Sequence, residues 1–260
     1  MAQLADKPLH GQPVPHDRLH PRLYAAEAAG TALLVFCGLS VVILIFGEGS
    51  VIARWLPDAA LRRCIAGGLF GTVGALITIS PLGRLSGAHI NPSVSFAFWL
   101  EGKLKWRDLV GYVLAQMGGA VIGALPLLWW GSMGRSVQFG TTLVGIAGTW
   151  AALGGEIFAT TALVLVIFIC AAHVRSRPCT PWTIPPLFAL LVCFEGPLSG
   201  ASTNLARSFG PALVTGDWQG FWIYVAGPLA GALLAVGLLK LGISGPHRVR
   251  VARLAHFAVE

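Results

Sequence analysis

The stretch SGAHINPSVSF, Ser86–Phe96, returns with changes as SGASTNLARSF, Ser199–Phe209. Ser, Gly, Ala, Asn, Ser and Phe stand at matching positions, 113 residues apart. Both stretches are polar islands in a chain of 260 residues that is 55% hydrophobic and 11% charged. A soluble domain carries about 25% charged residues. Asn91 before Pro92 is a helix start, because Asn caps free N–H groups and Pro fits the first helical position. The run that follows lasts about ten residues before the charged EGKLK, which is about 15 Å of helix, half a hydrocarbon core. Asn204 opens a run of similar length before TGDW. The doubled motif therefore predicts two half-helices, 91–100 and 204–214.

Long apolar runs surround the islands. Leu23–Phe46, Leu109–Trp130, Ala151–Ala172 and Phe221–Leu241 are each long enough to span a bilayer. Cys64–Leu82 and Trp182–Pro197 are shorter or more interrupted. Each half of the chain reads span, span, motif, span, with one glutamate (Glu27, Glu156) near its start. Three spans is an odd number, so the second half enters from the opposite face and the repeat is inverted. The expected fold is an all-α membrane protein with six transmembrane helices plus two re-entrant half-helices. Its parts are a tail (1–20), a first repeat (21–130), a connecting loop (131–150), an inverted second repeat (151–242) and a basic tail (243–260).

The two half-helices come in from opposite sides, so their Asn ends meet near the midplane. The residues before each Asn, Gly87-Ala88-His89-Ile90 and Gly200-Ala201-Ser202-Thr203, are expected as extended re-entrant backbone. Irregular backbone at that depth must be buried in protein or line a watery cavity. Its carbonyls would form a ladder of acceptors, the Asn amides would add donors, and two helix N-termini would make the centre positive. Such a path suits small neutral solutes and repels cations.

The formal charge of +7 raises nucleic acid as a partner, but its placement excludes that. With six spans, thirteen Lys and Arg fall on the side of both termini. Five (Arg54, Arg62, Arg63, Arg135, Arg207) fall on the other. This bias places both termini in the cytoplasm. The first 20 residues lack the apolar core of a signal peptide. The five cysteines show no metal-ligand spacing and read as small apolar residues of a bundle. Gly67-xxx-Gly71, Gly119-xxx-Gly123 and Gly227-xxx-Gly231 read as close helix crossings. No nucleophile–base pair, phosphate loop or dinucleotide fingerprint is visible, so no enzyme, cofactor or metal is expected.

The residues SGAHINPSV and NLARSFGPA, the paired glutamates and the six spans closely resemble the aquaporin, or major intrinsic protein, family over about residues 21–242. The resemblance implies a passive pore in each subunit of a homotetramer. It implies that Asn91 and Asn204 orient solute, that Arg207 belongs to an outer filter, and that Glu27 and Glu156 hold loop backbone. Alignment back from each Asn implies filter positions at Gly71, Val192, Ala201 and Arg207. Water-selective members place an aromatic and a histidine at the first two. Here the filter is expected to be wide and half apolar, similar to the plant boric-acid, silicic-acid and arsenite branch. The usual Asn-Pro-Ala triplets are changed to Asn91-Pro92-Ser93 and Asn204-Leu205-Ala206, and Leu205 removes one midplane proline. Ser208 and Ala212 match the water branch instead.

Each feature has a plainer reading beside it. Arg207 has a structural alternative, a pair with Glu195 or Asp217. Glu27 and Glu156 have a sharper one, a proton relay of a coupled transporter. Glu195 is read as a vestibule charge near the outer mouth. His89 reads as a loop histidine donating to backbone rather than a pH gate. The sequence is thus read as a channel of a cell membrane, such as a bacterial inner membrane. It would pass water and uncharged solutes such as metalloid hydroxides, glycerol or urea. The alternatives are a water-selective channel and a proton-coupled transporter.

Overall fold

The computed structural model describes residues 19–173 and 175–242. The basic tail 243–260 and most of the tail 1–20 lie outside the described residues. Among them, eight helices carry the architecture: α1 (Pro21–Phe46), α2 (Ala59–Ile79), α3 (Pro92–Leu100), α4 (Trp106–Ala124), α5 (Thr149–Ala172), α6 (Thr180–Phe194), α7 (Leu205–Thr215) and α8 (Ile223–Lys240). No strand occurs among the described residues.

Local chemistry sets the boundaries. The α2 helix starts five residues before the apolar run because Asp58 caps it, accepting from the Leu61 N–H at 2.7 Å. Its first turns therefore carry Arg62 and Arg63. Past Ala124, α4 continues as a tighter 3-10 turn, Leu125–Trp130, with Pro126 near its start. The segments of α1, α2, α4 with its extension, α5 and α8 are long and apolar enough to cross a membrane. At 15 residues α6 is shorter, about 22 Å of helix, and holds Pro185 and Pro186.

Packing follows the repeat. In the first half α1 lies on α4, and in the second α5 lies on α8. Between the halves α2 crosses α6. Small residues make these crossings close, as membrane helices require. A Cβ on Gly119 or Gly123 would sit 2.2 Å from the carbonyl oxygen of Ala28 or Ala32. On Gly67 it would lie 2.3 Å from the Phe188 carbonyl, and on Gly231 2.6 Å from that of Ile157. The half-helices are exchanged: α3 packs on α8 and α7 packs on α4. Each half-helix thus ties its own repeat to the closing helix of the other. Leu114, Ile122 and Phe158 stand 63 to 67% exposed on the outside of the bundle, as a lipid-facing surface does.

Candidate functional site: a pore along two re-entrant loops

The loops before α3 and α7 share one conformation. Gly87, Ala88 and Ile90 have φ of 90°, 49° and 42°; Gly200, Ala201 and Thr203 have 84°, 49° and 53°. Left-handed backbone is uncommon for residues with a Cβ and an outlier for branched Ile and Thr. Such residues cost of order 1–3 kcal/mol each and persist only where surroundings hold them. Here the holders are Glu27 and Glu156, both fully buried. Glu27 accepts from the N–H groups of His89 (3.0 Å) and Ile90 (2.6 Å), from Ser86 Oγ (2.6 Å) and from Gln116 Nε2 (2.8 Å). Glu156 accepts from the N–H groups of Ser202 (2.7 Å) and Thr203 (2.8 Å) and from Ser199 Oγ (2.6 Å). Tyr112 and Tyr224 hydroxyls then donate to the carbonyls of Ser86 and Ser199, at 2.6 and 2.9 Å.

The loops meet at their Asn residues. Asn91 Oδ1 caps α3 by accepting from Ser93 N–H at 2.8 Å; Asn204 Oδ1 caps α7 by accepting from Ala206 N–H at 3.0 Å. Each amide nitrogen donates to the opposite loop. Asn91 Nδ2 bonds the Thr203 carbonyl and Asn204 Nδ2 the Ile90 carbonyl, both at 2.9 Å. An amide nitrogen carries two N–H donors. One on each Asn is spent on the other loop, and both side chains border a cavity.

Two cavities run along these loops. The inner one, about 380 Å³, is bordered by Gly87–Asn91 and Ser202–Asn204 on one side. The rest is mostly apolar, with Leu34, Val94, Phe98, Leu163, Ile167 and Ile184, and also includes Thr78, Arg177 and Thr180. The outer one, about 230 Å³, is bordered by Val192, Gly200, Ala201 and Arg207, with Arg63 at its rim. Gly71 borders the inner cavity, not the outer one. The direction its side chain would take is filled by α6 backbone, with Pro185 Cα at 2.8 Å and Ile184 O at 3.0 Å. The aromatic beside Arg207 is the preceding residue: the guanidinium carbon lies 6.0 Å from the Phe70 ring centroid.

Arg207 is 7% exposed and donates through Nη1 to the Gly140 carbonyl at 2.9 Å. It forms no ion pair with Glu195 or Asp217, the partners of its structural alternative. The segment 131–150, read as a plain loop, holds a short helix (Gly131–Arg135) and a 3-10 turn (Gln138–Gly140). It supplies this anchor for Arg207. His89 does not donate to backbone as expected. Its Nδ1 faces Ser95 Oγ at 3.1 Å, and its ring stacks on Phe98 with centroids 4.4 Å apart. Ser93 and Ala206 are buried at the first turns of α3 and α7, and Leu205 is half-buried.

Glu195 is not a solvated vestibule charge: it is 5% exposed and shares Ser199 Oγ with Glu156. Ser199 Oγ lies 2.6 Å from Glu156 Oε1 and 2.5 Å from Glu195 Oε1. Glu156 also accepts from two backbone N–H groups, whereas Glu195 Oε2 is buried without a partner. The equivalent place in the first repeat, four residues before Ser86, is Leu82.

A bundle of two similar halves, with two capped half-helices meeting between cavities lined by their re-entrant loops, defines a transmembrane channel. Over residues 18–239 the chain matches the family model described as "Major intrinsic protein". It is 37% identical to "Aquaporin NIP1-1" of Zea mays over 211 residues, 80% of this chain and 70% of that protein. It is 33% identical to "Aquaporin-8" of Mus musculus over 233 residues, 86% and 83% of the two chains. A solved aquaglyceroporin from Plasmodium falciparum superposes with TM-score 0.69 over 86% of this chain and 96% of that one. At 21% identity, that likeness supports the fold alone. The chain belongs to the major intrinsic protein family: it is an integral, multi-pass membrane channel, passive, for water and small uncharged solutes.

Proposed function

We propose that this channel passes uncharged solutes larger than water, such as glycerol, urea or the hydroxides of boron and arsenic. The observation that carries this reading is the mixed wall of the inner cavity. The two re-entrant loops with their Asn residues line it together with mostly apolar side chains and with Thr78, Arg177 and Thr180. A solute with hydroxyls on one edge and an apolar opposite edge keeps its hydrogen bonds while it leaves water, whereas an ion loses its hydration shell uncompensated. Arg207 and the N-termini of α3 and α7 add positive potential against cations. The full commitment of Glu27 and Glu156 to loop donors supports anchoring rather than a proton relay. A homotetramer with both termini in the cytoplasm fits the charge bias and the family.

A water-selective pore is the second reading, favoured by the Phe70 ring beside Arg207. Stopped-flow light scattering on proteoliposomes separates the two. Glycerol, urea and boric acid should each enter faster than into protein-free vesicles. Water flux with no uptake of any larger solute would establish the second reading.

A further inference from the structure

Two of the five cysteines meet at the outer end of the α2–α6 crossing. Cys64 stands in the second turn of α2 and Cys193 in the last turn of α6. Gly67 meets Phe188 and Val192, and Gly71 meets Ile184 and Pro185, so the two helices run in opposite directions. Cys64 lies one turn outward of Gly67 on the same face of α2, opposite the end of α6. Cys193 Sγ is 3.6 Å from the Ala60 carbonyl. That carbonyl is four residues before Cys64, the one its own N–H bonds inside the helix. Arg63 Nε donates to the Cys193 carbonyl at 3.3 Å, a second tie at the same level. The two thiols are in hydrogen-bonding contact with each other. Both are free in this structure; Cys193 is buried and Cys64 half-buried.

We propose that Cys64 and Cys193 form a disulfide that staples α2 to α6 beside the outer cavity. The close crossing supplies the backbone approach a disulfide needs, and thiols already in contact reach the roughly 2 Å bond by side-chain rotation. The oxidant is a small or protein-borne disulfide, R–S–S–R. Cys64, the more accessible thiol, attacks one sulfur as its thiolate, giving Cys64–S–S–R and one R–SH that carries the proton away. Cys193 then attacks the Cys64 sulfur, closes the bridge and releases the second R–SH. Two electrons pass from the cysteine pair to the oxidant. With both termini in the cytoplasm, this end of the bundle lies on the other side of the membrane, where disulfides persist. Gly67 and Val192 beside the pair border the outer cavity, and Gly71 and Ile184 border the inner one. The bond therefore fixes two helices that wall the whole path. It also closes a loop of about half the chain, and long loops gain most from closure.

The test incubates the purified full chain in detergent with oxidised glutathione or with dithiothreitol. Mass spectrometry of a non-reduced digest should find the Cys64 and Cys193 peptides joined in the oxidised sample. Its unfolding midpoint should stand about 5–15 °C above that of the reduced sample. Cys64→Ser and Cys193→Ser, each near the size of the thiol it replaces, should lose both the joined peptides and the difference in midpoint. Water flux into proteoliposomes should be the same before and after oxidation, because the bond joins groups that already touch. The proposal is overturned if iodoacetamide labels both cysteines after the oxidised protein is unfolded, or if a glutathione adduct persists on Cys64 unresolved by Cys193. An unchanged midpoint in the joined protein, or a difference that survives in both Ser variants, overturns it too. Flux lost on oxidation would do the same, since the bond would then distort the crossing rather than hold it.

Discussion

Replacing Glu27 with Gln keeps the shape of the first loop anchor and removes its charge and one acceptor oxygen. The cost follows from the four donors that converge on the carboxylate. Ser86 can rotate its hydroxyl to accept, and Gln116 can turn its amide, whose oxygen is buried without a partner. The N–H groups of His89 and Ile90 cannot adjust, because one bonds each oxygen and both belong to fixed backbone. Whichever way the new amide points, one buried N–H is orphaned, at about 1–3 kcal/mol. Glu27→Leu orphans both backbone N–H groups, about 2–6 kcal/mol on the same scale, while Ser86 Oγ and Gln116 Nε2 keep the Leu82 carbonyl and Ser95 Oγ as acceptors. Thermal unfolding in detergent should therefore rank unmodified, Gln, Leu. Glycerol uptake should fall in the Gln variant because the strained carbonyl segment loses its holder. A Gln variant with unchanged midpoint and unchanged flux would refute the reasoning, since residues 86–90 would then hold their conformation unaided.

Leu205→Pro should raise the unfolding midpoint slightly, by about 0.4–1 kcal/mol of stability, because Asn204 already has the extended backbone that proline demands of its predecessor; a fall shows repacking around leucine. Gly119→Ala should destabilise by about 1–3 kcal/mol as its Cβ meets the Ala28 carbonyl, while the adjacent Gly118→Ala, with nothing within 4 Å, should be neutral or stabilising. Equal midpoints for the two would remove the close α1–α4 crossing from the account. Glu195→Gln should retain flux and midpoint, since the glutamine amide can donate to Ser199 Oγ in place of the carboxyl contact; a large loss in either measurement shows that the carboxyl itself is needed.

Much of this architecture is legible because the chain states it twice. Ser86 and Ser199, Glu27 and Glu156, and Asn91 and Asn204 recur in one order, and a polar group repeated in a greasy chain needs a partner repeated with it. The half-helices are readable from Asn caps and run length alone. What stays hidden depends on contacts between helices distant in sequence. Tyr112 and Tyr224 are ordinary aromatics of apolar spans until the bundle sets their hydroxyls on Ser86 and Ser199. Phe70 looks like a core residue beside an informative Gly71. The Gly67–Gly71 stripe is spent on the α6 crossing, which turns the next ring toward Arg207. Gly140 lies in a segment without periodicity, and nothing local says that it anchors the arginine. Glu195 looks exposed from its place at a helix end, and only the fold shows it buried against Ser199.

The central claim is a passive path that admits neutral solutes and excludes protons. It is tested most directly by one preparation of proteoliposomes loaded with a pH-sensitive dye and mixed with a glycerol gradient, recording volume and internal pH together. The account predicts glycerol uptake that follows the glycerol gradient, at one rate with and without an imposed pH gradient, and no proton signal above protein-free vesicles. Uptake that needs the pH gradient, or carries protons with it, would contradict the account and make the protein a coupled transporter.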